Sequence, residues 1–209
     1  ATDVDSLIGA QLTATPMPRL SAVLQVISAQ DYANSWRPHV EWANLKYDVT
    51  PEWSIRVGRT LLPILMVADT AKVGFAIPWA RPPIELYGLD PVTSSDGVDL
   101  SWRTALDNGT NTLQATAGRW DSKYPSPNGI ATSQTRGLVS VVDTYERGYL
   151  TLRVQYGRAR ISVPALVPLF DGFRQFGPQG AAIADRYGAT DQLIHFSGVG
   201  ASYDPGKWF

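Results

Sequence analysis

Two histidines and fourteen arginines are the side chains here best equipped for chemistry, and their spacing limits what each can do. His39 and His195 lie far apart, with no H-x-x-H or H-E-x-x-H spacing, so a zinc site built from sequence-local ligands is excluded. "HFSG" at 195–198 puts His195 and Ser197 two apart on a strand, which makes them neighbours on one face rather than base and nucleophile. No carboxylate pair stands out for glycoside cleavage, and no glycine loop of phosphate-binding type occurs. The absence of cysteine removes disulfides, thiol catalysis and thiolate metal sites together. Neither enzymatic activity nor a cofactor nor a bound metal is therefore expected. The arginines are more informative. Arg56, Arg103 and Arg153, with Asp99 and Gln155, stand opposite clear apolar rows. Arginine stays charged in a water-filled passage, where rings of like charge select among ions.

The elements that must position these residues are strands. In "LTLRVQYGR", Leu150, Leu152, Val154 and Tyr156 alternate with Thr151, Arg153, Gln155 and Gly157, a period of two. The same alternation sets Val98, Leu100 and Trp102 against Asp99, Ser101 and Arg103, and Ile55 and Val57 against Ser54, Arg56 and Gly58. Strands are expected at 6–15, 20–29, 39–47, 53–61, 98–107, 112–121, 137–145, 150–161 and 192–203, with a tenth beginning at Lys207. "ATPMPRL", "DVTPEW", "DNGT", "ERGY" and "DPGK" read as tight turns. Longer connections cover 30–38, 62–97, 122–136 and 162–190. The order short, long, short, long, with strands of about ten residues, fits an up-and-down transmembrane β-barrel whose short turns and long loops fall on opposite sides.

Composition permits this. The chain has 209 residues, 18% of them charged, with a formal net charge of −1, so no attraction to nucleic acid is implied. No run reaches the roughly 18 apolar residues of a membrane-spanning helix, but barrel strands of about 9 to 11 residues need no such run. Trp42, Trp53, Trp102, Trp120, Tyr145, Tyr149, Tyr156, Tyr203 and Trp208 lie at or near strand ends, where girdles of amphipathic rings would meet the two membrane interfaces. The 62–97 connection is long and largely apolar, and its natural resting place is inside the barrel lumen. As a constriction loop it would offer Asp69, Lys72, Arg81 and Glu85. Within 162–190, "LFDGFRQF" and "GAAIADRYG" are expected as short helices, the second stopping at Gly188.

The segment "HVEWANLKYDVTPEWSIRVGRTLLPILMVADTAKVGFAIPWARPPIELYG", followed by "PVTSSDGVDLSWR", resembles a family of Gram-negative bacterial outer-membrane porins. The shared pattern is a strand–turn–strand E-W-A-x-x-K-Y-x-x-T-P-x-x-S-x-R-x-G-R, then a loop K-V-G-x-A-x-P-W-x-R-P-P-x-E-x-Y-G, then S-D-G-x-D, and it runs from about Glu41 to Arg103. The resemblance implies a barrel of about sixteen strands, a homotrimer in the complete protein, seated in outer-membrane lipid and passing small hydrophilic solutes by passive diffusion. Nine strands and the start of a tenth are roughly half of that. On this reading residues 1–209 are a single partial β-barrel domain, an internal fragment of a longer porin. Arg56, Asp99, Arg103, Arg153 and Gln155 would then line the pore, with an anion-leaning bias. A different class of protein, a soluble sandwich-like all-β carbohydrate-binding module, is the alternative suggested by the 11% aromatic content and a mean hydropathy of −0.12.

Overall fold

Nine segments with two-residue periodicity pair in sequence order into one antiparallel sheet. The computed structural model describes residues 7–30, 35–62, 94–126 and 129–206. The strands are β1 (Leu7–Met17), β2 (Leu20–Ala29), β3 (His39–Asp48), β4 (Trp53–Leu61), β5 (Ser94–Leu106), β6 (Gly109–Ser126), β7 (Gly129–Arg147), β8 (Leu150–Ser162) and β9 (Gln192–Tyr203). Each pairs only with its neighbours in the chain, and β1 and β9 are the two edges. The sheet is thus all-antiparallel and not closed. The expected start of a tenth strand at Lys207 lies outside the described residues.

Each short connection has a local chemical cause. Between β3 and β4 the Thr50 hydroxyl accepts the Glu52 and Trp53 amides at 3.2 and 3.0 Å and donates to the Glu52 carboxylate at 2.8 Å. Arg19 and Asp107, in the turns after β1 and β5, adopt left-handed backbone with φ of 68° and 52°. Asp tolerates that conformation well because its short side chain can bond locally.

Two expected connections are shorter than the alternation suggested. Ser94–Gly97, placed at the end of the long 62–97 loop, instead pairs with Leu61–Gly58 as the first part of β5. The expected 122–136 connection is mostly ladder: Asp121–Ser126 pairs with Gly129–Gln134, so β6 and β7 extend as one long hairpin. Both stretches are polar and therefore silent to a hydrophobic pattern. Their backbone amides and carbonyls still require partners, and the neighbouring strand supplies them. A bulge at Arg136–Val139, with Gly137 at φ 58°, restores the facing of the side chains.

Between β8 and β9, residues 162–190 form a 3-10 turn at Pro164–Leu166 and the helices α1 (Val167–Arg174) and α2 (Gly177–Tyr187). Both helices fall where "LFDGFRQF" and "GAAIADRYG" indicated. The Val163 amide donates to the Ala189 carbonyl at 2.7 Å and the Asp191 amide to the Ser162 hydroxyl at 2.9 Å, which ties the base of this excursion to the strand ends.

Residues paired across antiparallel strands share a face, so the register sorts every side chain. Lys46, Arg56, Asp99, Thr116, Ser140 and Gly157 follow one another across β3 to β8 on a polar face. Leu45, Val57, Val98, Ala117 and Val139 do the same on the apolar face. The polar face also carries a row of glycines, Gly58, Gly97 and Gly118, side by side on β4, β5 and β6. A Cβ on Gly97 would run into the Ala117 carbonyl oxygen and the Gly118 Cα, both backbone atoms that cannot swing aside. Gly97→Val should cost on the order of 3 kcal/mol and lower the yield of protease-resistant sheet. Gly9→Val, whose added Cβ would meet Ile27 at 3.6 Å and the Val26 carbonyl at 3.7 Å, should leave that yield unchanged.

Candidate functional site

Exposure on the two faces is the reverse of that in a water-soluble sheet. On β8, Leu152, Val154 and Tyr156 are exposed, while Thr151, Arg153 and Gln155 are half-buried and Gly157 is buried. The contrast extends across the sheet: Leu12 is 66% exposed and Val154 58%, whereas Asp99 is 3% and Thr116 2%. Ile8, Leu12, Leu24, Leu45, Val57, Val98, Leu100, Val141, Val154 and Val199 form a nearly unbroken aliphatic band. Each such side chain left in water forgoes about 1.5–3 kcal/mol available from burial. All nine strands belong to one sheet, so among the described residues no second sheet covers this band. The small apolar cluster that does exist, Leu62, Leu138 and Ala159 with Trp120, Ile194 and Phe196 against it, sits on the polar face towards the long connections.

Aromatic residues border the aliphatic band at the end with the short turns. Trp53 and Trp102, paired across β4 and β5, stack with centroids 5.9 Å apart, and Tyr149 meets Tyr203 edge-on at 6.3 Å. Tyr47 and Tyr145 occupy the same end of β3 and β7. Trp42 and Trp120 are different: the register turns both towards the polar side. Trp208 lies outside the described residues.

Arg56, Asp99, Arg103, Arg153 and Gln155 all fall on the polar face, as their alternation indicated. Arg56 is directly opposite Asp99 on β5 and Lys46 on β3. The Asp99 carboxylate accepts the Gln114 amide at 2.6 Å and the Thr116 hydroxyl at 2.9 Å, both on Oδ2. Those two bonds supply partners to a carboxylate almost sealed from solvent. Arg103 is joined through Thr112 and Thr144 to the level of Arg153, whose Nε donates to the Thr144 hydroxyl at 3.2 Å. Gln155 stands one step along β8 beside Gly198. Arg56 and Arg153 also line a cavity of about 370 Å³ with Gln11, Trp42, Lys46 and Gln114.

Lys46 and Gln114 belong to this constellation although the alternation of apolar rows did not single them out. The signal for Lys46 was the T-P turn, which folds β3 onto β4 and sets Lys46 opposite Arg56. Gln114 is visible only once the β5–β6 register is known, since it bonds a carboxylate two residues off its own pair. Asp69, Lys72, Arg81 and Glu85 lie outside the described residues. His195 bonds the Tyr156 hydroxyl at 2.7 Å, and its strand position puts it on the apolar face, consistent with a structural histidine. His39 contacts Glu41 at 3.3 Å.

At the paired positions of β3 to β8 the polar face carries Lys46, Arg56, Arg103 and Arg153 against Asp48, Asp99 and Glu146, and the buried Glu41 joins the carboxylates at the β3 bulge. The Lys46–Asp48 pair closes at 2.8 Å. What remains is a set of arginines on the face that holds the buried Asp99, arranged along strands with aliphatic backs. No family model matches the chain, and no curated protein matches it.

Proposed function

We propose that this chain forms wall strands of a water-filled outer-membrane channel through which small hydrophilic solutes diffuse passively, with a lean towards anions. One observation carries the reading: the aliphatic face is the exposed one, and the charged face is the sheltered one. Such a distribution suits a sheet with hydrocarbon outside and water inside, where every backbone group in the apolar layer is hydrogen-bonded to a neighbouring strand. Short turns gather at one end of the strands while the long excursions after β4 and β8 leave from the other, which supports the same orientation with the long connections on the outer side. The porin-like segment between Glu41 and Arg103 agrees with it, and by that likeness the complete assembly is a homotrimer. The open β1 and β9 edges would be paired within the finished barrel, since unpaired strand edges in lipid are costly.

Reconstitution of the protein into a planar bilayer tests this. The reading expects discrete conductance steps and a reversal potential in a salt gradient that favours the anion. Folded protein that inserts and passes no current would defeat it.

A further inference from the structure

The apolar face ends differently at its two borders. Aromatic rings with Arg147 beside them close it at the short turns, but towards the long connections it ends in a row of arginines. Arg59, Asp96 and Arg119 are cross-strand neighbours on β4, β5 and β6. Past the β7 bulge the row continues with Arg136, opposite Arg160 on β8, and with Arg158, opposite Val139. Three of the five arginines are held by aspartates: Arg59 by Asp96 at 2.7 and 2.9 Å, Arg136 by Asp121, and Arg160 by Asp191 at 2.7 Å. Arg119 and Arg158 are exposed and have no ion-pair partner among the described residues.

We infer that this row binds the phosphorylated headgroup of an anionic lipid whose acyl chains lie on the aliphatic band below it. The inference rests on the membrane orientation proposed above. The chemistry follows from continuity: Arg158 emerges from the same face as Val139, Val141 and Val154, so one amphiphile can meet hydrocarbon and guanidinium together. Guanidinium suits phosphate because its fixed fork of donors matches two phosphate oxygens at once. The ion pairs on either side engage Arg59, Arg136 and Arg160 with aspartates, while Arg119, whose charge also acts on Asp96, and Arg158 are closed by no carboxylate within ion-pair distance among the described residues. The opposite border carries aromatic rings with Arg147 beside them in place of such a row, so anionic lipid is favoured in the leaflet nearest the long connections.

The test uses the full chain folded into vesicles of phosphatidylcholine alone or mixed with phosphatidylglycerol, then extracted in mild detergent, with retained lipid counted by native mass spectrometry. Phosphatidylglycerol should be enriched over phosphatidylcholine in the retained lipid. Arg119→Gln with Arg158→Gln should cut that enrichment by on the order of tenfold, since each basic residue at a membrane surface is worth several-fold in binding. Arg56→Gln with Arg153→Gln, on the other face, should leave it unchanged. Added inorganic phosphate should not displace the lipid. Failure to insert into phosphatidylcholine would overturn the membrane orientation and the inference with it. Insertion with equal retention of both lipids, loss of enrichment in the polar-face variant, or displacement by inorganic phosphate would each overturn the inference alone.

Discussion

Arg56→Glu combined with Arg103→Glu should turn an anion-leaning channel into a cation-selective one. The double replacement exchanges two polar-face cations, on neighbouring strands, for two carboxylates. Confined between low-dielectric walls, such a change alters local ion concentrations by about tenfold or more, so the permeability ratio should cross unity. Zero-current potentials in a salt gradient read this directly. Arg56→Gln is the informative companion. Position 56 faces Asp99, which keeps its bonds to Gln114 and Thr116, so the neutral variant should reduce anion preference without the repulsion that glutamate introduces. Ion preference unchanged by both would mean that these arginines do not face the permeating ions.

The second large effect is on the opposite face. Leu100 is 40% exposed between Ile55 and Ala115 in the middle of the aliphatic band. Leu100→Arg should cost about 2–4 kcal/mol of folding in a bilayer, as a cation does at the lipid-facing midplane of a barrel strand. Folded yield in vesicles, followed by protease resistance, should fall accordingly. Ser101→Arg, one residue along and on the polar face beside Gln114, should fold with near-normal yield. A soluble sheet in water would give the reverse ordering, since arginine on an exposed face is harmless there.

Much of this arrangement is legible before any coordinates. Alternation alone places Arg56, Asp99, Arg103, Arg153 and Gln155 on one face, because a period of two leaves no freedom once a strand is assigned. Tight turns with Thr-Pro, Asp-Asn-Gly and Arg-Gly mark strand ends to within a few residues, since their side chains or left-handed backbone fix the reversal. Sequence failed where polar stretches pair with each other. Ser94–Gly97 and Asp121–Ser126 have no apolar rhythm, yet each extends a ladder because its partner strand is already in place. The Asp99–Gln114 bond was hidden for a related reason: which residues two strands bring together depends on register, and register is set jointly by turn and bulge. The arginine row at the border nearest the long connections was likewise invisible, since Arg119, Arg136 and Arg158 come together only through the β7 bulge.

The deciding property of this sheet is the medium that touches its aliphatic rows. The chain has no cysteine, so single cysteines carrying a nitroxide can be placed at each position from 151 to 156 in turn, in protein folded into vesicles. Collisional relaxation by oxygen, which concentrates in hydrocarbon, and by a water-soluble nickel chelate then reports each side chain's surroundings. Positions 152, 154 and 156 should respond to oxygen, and 151, 153 and 155 to nickel, in strict alternation along β8. Nickel access at 152, 154 and 156, or protection of those positions from both reagents, would contradict the account.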